Sequence, residues 1–241
     1  MNKRKSILML LIIVLICIVG PYAKGTYAGV SFQNMDSAWG MGTKVTKSVS
    51  NDRSYDWYRD QMDTGRNAAM NCGPTVIEMS ARWKDPDNNI KVEEIVDKYI
   101  PDEAVYMGAH YTDLQRWMEN YDIDYKLLRD YDLNSIEEDL NKGNIIIIGL
   151  DMKLLTYNPV TTEHFDSYFN NAAVDGVIYH YVIVKGYREV DGVLYFETYD
   201  PGSAGFIYED GQPIGKDRYY RADEFIEAAR GYFPDCIIIE N

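Results

Sequence analysis

Cys72 lies in the stretch Met70-Asn71-Cys72-Gly73-Pro74-Thr75, just ahead of a run in which Val76, Met79, Ser80 and Trp83 recur at helical spacing. Pro74 suits a first helical turn, where its missing N–H would have been unpaired anyway, so the pattern predicts a thiol at a helix N-terminus. The positive end of the helix dipole and the unpaired backbone donors there favour thiolate over thiol. A cysteine used as a nucleophile needs a base to hold its proton, and imidazole is the usual one. The chain has three histidines. His110 falls in the loop-like GAHYTDL and His164 in the polar TTEHFDSYFNN, whereas His180 heads the strand-like HYVIVKGY, where a side chain can be held and aimed. Beyond a turn at Asp191-Gly192 the chain runs back to Asp200 in Tyr-Asp-Pro-Gly. If the arms pair around that turn, facing positions sum to about 383, which returns the strand of His180 to the vicinity of Asp200. Asp200 then accepts from the imidazole, fixing its tautomer and favouring the imidazolium that faces the thiolate. Gln61, eleven residues before Cys72, offers a side-chain amide beside the Cys72 N–H as an oxyanion donor.

Each residue also has an ordinary explanation. A histidine at a strand edge, an aspartate opening a Pro-Gly turn and a glutamine in a polar loop are common without chemistry. Cys72 and Cys236 could pair as one disulfide. Against this, Cys236 sits in DCIIIE, the pattern of a terminal buried strand, which suits an inert thiol.

The elements that must position these residues follow from periodicity. The Cys72 helix ends near Lys84-Asp85-Pro86, and a second is predicted over Val92 to Tyr99, stopped by Pro101. Thr112 is the expected cap of a third, with Leu114, Trp117, Met118 and Tyr121 on one face. Asn134-Ser135 opens a fourth, which stops at Gly143. From there the period becomes that of strands. Asn144 to Met152 reads as a buried central strand and Tyr179 to Asp200 as a hairpin. Phe206 to Gly215 reads as a further hairpin or loop, Arg221 to Arg230 as a short helix, and Cys236 to Glu240 as a last strand. Helices first and antiparallel strands later is an α+β order.

The first residues belong to none of this. Lys3, Arg4 and Lys5 precede an apolar run from Ile7 to Val19, closed by Gly20-Pro21, the order of an export signal. The run is short of the ~20 residues that span a bilayer, so a cleaved signal over residues 1–28 is expected, with Ala28 as the cleavage position. Secretion or display at the cell surface follows, with membrane contact only through an uncleaved signal. Residues 29–54 read as a leader or spacer and 55–241 as one domain. Residues 1–28 hold four of the 24 basic residues and none of the 38 acidic ones, so their removal takes the net charge from −14 to −18. A surface that negative repels phosphate backbones, which excludes nucleic acid as a partner.

Gln61 with Asn-Cys-Gly-Pro-Thr, then GNIIIIGLDM, HYVIVKGY and Tyr-Asp-Pro-Gly, in that order, resemble the papain-like cysteine peptidases related to the bacteriocin-processing domains of exporting transporters, the peptidase C-thirty-nine-like family, in its free-standing exported form. The resemblance runs from Tyr55 to Ile239. It implies an α+β papain-like fold, with N-terminal helices packed on an antiparallel sheet, and no metal or organic cofactor. It implies Cys72 as nucleophile, His180 as general base and acid, Asp200 as orienting carboxylate and Gln61 as oxyanion donor, acting on a peptide or protein substrate. In one respect the chain departs from the transporter-linked members, whose glutamine lies closer to the cysteine. The same triad would serve a cell-wall peptide amidase or transpeptidase, and a catalytically silent binding module at the cell surface is the reading from another class.

Overall fold

The computed structural model describes residues 26–27, 30–31, 41–102, 106–156, 164, 178–230 and 235–241, so the run expected to be an export signal and residues 29 and 32–40 of the expected leader lie outside the described residues. The chain divides into two compact units, Met1–Gly40 and Met41–Asn241. In the first, Thr26–Tyr27 pairs antiparallel with Val30–Ser31. The second contains seven strands and five helices among its described residues.

Its helices are α1 (Cys72–Lys84), α2 (Val92–Tyr99), α3 (Tyr111–Asn120), α4 (Leu133–Asn141) and α5 (Ala222–Arg230). Its strands are β1 (Val45–Ser50), β2 (Lys126–Arg129), β3 (Ile145–Asp151), β4 (Tyr179–Val190), β5 (Val193–Tyr199), β6 (Arg218–Arg221) and β7 (Asp235–Ile239). They form one antiparallel sheet in the order β2-β7-β3-β4-β5-β6. β1 lies on the outer half of β4, opposite Gly186 to Val190, where β3 has already left off.

The sheet is covered on both sides, which explains why β3 is apolar from Ile145 to Leu150 and buried along its whole length. Ile145 and Ile147 meet Val76, Ile77, Met79 and Trp83 of α1 together with Leu114 and Trp117 of α3. Ile146, Ile148 and Leu150 meet Ile136 and Leu140 of α4 and Phe225 of α5 on the other face. Alternation along one strand thus divides the core into two layers.

Helix starts differ from the expected ones by a residue or two, each for a capping reason. α3 begins at Tyr111 with His110 as N-cap, whose backbone N–H donates to the Asp113 carboxylate. α4 is capped by Asp132, which accepts from the Ser135 N–H, while the Ser135 hydroxyl accepts from the Asp132 N–H. Part of the stretch read as leader is a strand of the sheet, namely β1. It is solvent-exposed at five of six positions, so it shows no apolar period and is fixed mainly by backbone pairing to β4.

Candidate active site

The approach to Cys72 is fixed by Asn71. Its side-chain amide donates to Thr64 Oγ1 and the Arg66 carbonyl, both at 2.9 Å, and its own carbonyl accepts from the N–H and hydroxyl of Thr75. Asn71 therefore makes no side-chain cap on α1, whose first residue is Cys72. A Cβ on Gly73 would lie 2.5 Å from the Ala109 Cβ, so glycine lets the start of α1 close against the segment leading into α3. Cys72 retains 7% of its surface.

His180 and Asp200 are brought together by the β4–β5 hairpin, with an adjustment that the sequence did not suggest. Asp191 and Gly192 both have positive φ, 49° and 82°, as a tight primed turn requires. Facing positions sum to 383 from Val190↔Val193 to Gly186↔Glu197, but Val184 pairs with Thr198 and Ile183 with Tyr199. One extra residue, Lys185, has entered β4 as a bulge. The shift decides the geometry, because residues that face each other across a ladder share a side of the sheet. With the unshifted register, the position opposite Asp200 would be Ile183, which points the other way from His180. With the bulge it becomes Val182, two residues from His180 and on the same side.

The imidazole Nε2 accordingly lies 2.6 Å from Asp200 Oδ1. Cys72 is the other group close enough to act on the proton affinity of His180, and with Nε2 committed to the carboxylate, Nδ1 is the nitrogen left for the sulfur. Gly202 packs on the ring, where a Cβ would come within 3.2 Å of the imidazole Cε1. Burial alone would lower the proton affinity of His180, but the charge of Asp200, the hydrogen bond to it and Cys72 together raise it to about 10.

Every oxygen of Asp200 has a partner. Oδ1 also accepts from the Gly202 N–H at 2.7 Å. Oδ2 accepts from the Arg218 guanidinium at 2.8 Å and from the Tyr220 hydroxyl at 2.6 Å. The backbone carbonyl accepts from the Tyr58 hydroxyl at 2.9 Å. Burial would raise the carboxyl; the cations of His180 and Arg218 outweigh it and hold it well below the usual carboxylate range.

Gln61 is buried rather than in a surface loop. The residues between it and Cys72 fold as two 3-10 turns, Gln61–Asp63 and Ala68–Met70, which shorten the longer spacing. Its Nε2 donates to the Ala69 carbonyl at 3.1 Å and its N–H to the Pro201 carbonyl at 2.8 Å. Asp60 alongside accepts from the Ser203 hydroxyl. The glutamine is thereby tied both to the turn before Cys72 and to the turn after Asp200.

The other two histidines are engaged elsewhere. His110 starts α3, and His164 bonds the Lys216 carbonyl and the Asp210 carboxylate while stacking on Tyr208. Cys236 is a buried free thiol, as is Cys72, and burial pushes the Cys236 thiol strongly up. Burial raises the Tyr106 and Tyr181 hydroxyls, and the charge of Cys72 adds to the rise in both. Among the described residues no three His, Cys, Asp or Glu side chains converge as a metal-binding set.

Sequence reasoning missed Arg218 and Tyr220. They stand two apart in the four-residue β6, so both reach the same carboxylate oxygen. The two-residue spacing of Arg218 and Tyr220 in RYYR, which puts them on one face of a strand, was the available signal.

No family model matches the chain, and no curated protein sequence matches it. Solved structures do. A protein from Bacillus anthracis assigned as a C39-like peptidase superposes with a TM-score of 0.51 at 12% identity, covering 81% of this chain and 98% of its own. Digestive procathepsin L 3 of Tenebrio molitor larval midgut gives 0.45 at 12% identity, covering 89% and 81%. With a cysteine-bearing helix laid on an antiparallel sheet that carries histidine and aspartate, the chain has an α+β, papain-like peptidase fold.

Proposed function

We propose that this chain is an exported cysteine peptidase that hydrolyses a peptide amide bond through Cys72, His180 and Asp200. The observation that carries the reading is the imidazole of His180, bonded through Nε2 to Asp200 at 2.6 Å, with Cys72 near enough to raise its proton affinity. A raised His180 keeps the imidazolium at neutral pH beside the sulfur, which is the charge state for nucleophilic attack. Cys72 Sγ attacks the carbonyl carbon, and the oxygen that becomes negative is met by the Gln61 amide and the N–H groups at the start of α1. His180 gives its proton to the leaving amine, the C–N bond breaks and a thioester remains. Water, giving a proton to the now neutral imidazole, attacks the thioester, releases the acid and restores the thiolate beside the imidazolium. Asp200 keeps the ring in the orientation needed at both steps.

The test is incubation of the purified chain with a peptide library, with product sequencing and Cys72→Ala as control. Cleavage that disappears in Cys72→Ala is expected. Unchanged turnover in Cys72→Ala ends the reading. Export is tested separately by sequencing the N-terminus of the secreted protein, expected to begin after Ala28; an intact Met1 in the cytoplasm would remove that part.

A further inference from the structure

Asp60 and Ser203 take part in no step of the reaction, yet they meet beside Gln61. Ser203 is wholly buried, where a hydroxyl without a partner is costly, and it donates to Asp60 Oδ2. The other oxygen of that carboxylate accepts from the Met62 N–H at 2.9 Å, capping the 3-10 turn whose first residue is Gln61. The Tyr58 hydroxyl donates to the Asp200 carbonyl at 2.9 Å and the Gln61 N–H to the Pro201 carbonyl at 2.8 Å, so residues 58–61 are fastened along the turn 200–203 at three points. Resting on the peptidase reading, we propose that Asp60 and Ser203 are positioning residues, a clasp that holds the Gln61 amide where the carbonyl oxygen of the substrate turns negative.

The same turn serves the imidazole. Gly202 packs on the ring of His180, and its N–H donates to Asp200 Oδ1 at 2.7 Å. One turn thus supports the proton donor on one side and anchors the oxyanion donor on the other. A 3-10 turn of three residues has little stability of its own. A donor displaced by a fraction of an ångström loses much of its hold on a charge that exists only in the transition state. The clasp supplies the rigidity that the short turn lacks. Within the glutamine, the Ala69 carbonyl takes one hydrogen of the planar amide at 3.1 Å, which fixes the direction of the second.

Two reactions of the same sulfur separate this role from a merely structural one. Alkylation of Cys72 by iodoacetamide needs the thiolate but forms no oxyanion, whereas hydrolysis of a peptide that the wild type cleaves needs both. Gln61→Ala should lower kcat for hydrolysis by about 100-fold. Ser203→Ala and Asp60→Ala should each lower it by about tenfold, with KM and the alkylation rate within about twofold of wild type. Asp60→Asn keeps an oxygen for the Met62 N–H and places an amide against the Ser203 oxygen, so it should stay within about threefold of wild type. Ser203→Ala added to Gln61→Ala should cost no more than about a further twofold, because the clasp acts through a side chain already removed. The inference is overturned by unchanged hydrolysis in both clasp variants, by alkylation that falls in step with hydrolysis in both, or by a further loss of about tenfold in the double variant. Hydrolysis by Gln61→Ala within about threefold of wild type also overturns it. A wild type that cleaves no peptide takes down the peptidase reading and the inference together; a cleaving wild type with additive losses removes the inference alone.

Discussion

The β4–β5 hairpin buries charge at two places. Near its open end the carboxylate of Asp200 lies between His180 and Arg218, with all three side chains almost wholly out of water. Midway along, at the bulge, Lys185 is fully buried and meets Glu197 at 2.5 Å, Asp217 at 2.8 Å and Asp52 at 3.1 Å. The first site places two cationic groups on one anion and the second places three anions on one cation. They differ in where water reaches. Asp52, Glu197 and Asp217 keep 37%, 11% and 33% of their side-chain surface, so water reaches two of the three and screens their surplus negative charge. Asp200 keeps 1%, so its charge must be balanced by neighbours. Carboxylates that water partly reaches make Lys185 a fastener of the segment holding Asp52, β5 and the residues entering β6, whereas the sealed one makes Asp200 an electrostatic setting on the imidazole.

If that division holds, the two sites break in opposite ways. His180→Ala should lower peptide hydrolysis by about 10⁴-fold or more while leaving the melting temperature at pH 10, where the imidazolium no longer contributes much, within a few degrees, read by kinetics and calorimetry on the same sample. Lys185→Met should do the reverse. It leaves three carboxylates without their cation and is expected to cost about 3 kcal/mol in urea unfolding, with hydrolysis per folded molecule changed less than about threefold. A Lys185 variant that is stable yet inactive would erase the distinction.

Alkali sharpens the contrast further. His180 is raised from 6.5 to about 10 in the folded chain, so its contribution to stability is complete below about pH 6.5 and is lost as pH rises through 10. Lys185 is raised above its ordinary value, so its contribution persists to higher pH still. Between pH 7 and 10 the melting temperature should therefore fall in wild type and stay flatter in His180→Ala. The smallest effect is expected for Asp52→Asn, about 1 kcal/mol, because that carboxylate is the most exposed of the three and two others remain on Lys185.

Much of the site was readable because its signals are local. A cysteine before Gly-Pro at a helix start, a histidine at the head of a β-branched run and a turn at Asp191-Gly192 each declare themselves within a few residues. The elements that stayed hidden are the ones whose reason is tertiary. β1 is nearly all exposed and β2 has only four residues, so neither carries a usable apolar period. Arg218 reads as an ordinary surface charge until the fold closes over it. The bulge was invisible for a similar reason. Nothing in VIVKGY marks Lys185 as an extra residue; its place follows from the carboxylates that surround it after folding.

That one inserted residue also restricts how the hairpin can vary over time. Since side chains alternate sides at every step, gaining or losing a single position on one arm would turn the base and its carboxylate away from each other. A matched pair of changes, one on each arm beyond the bulge, would leave them facing. On the peptidase reading, length changes within either arm should therefore come in even numbers, while the turn at Asp191-Gly192 is free to vary by one.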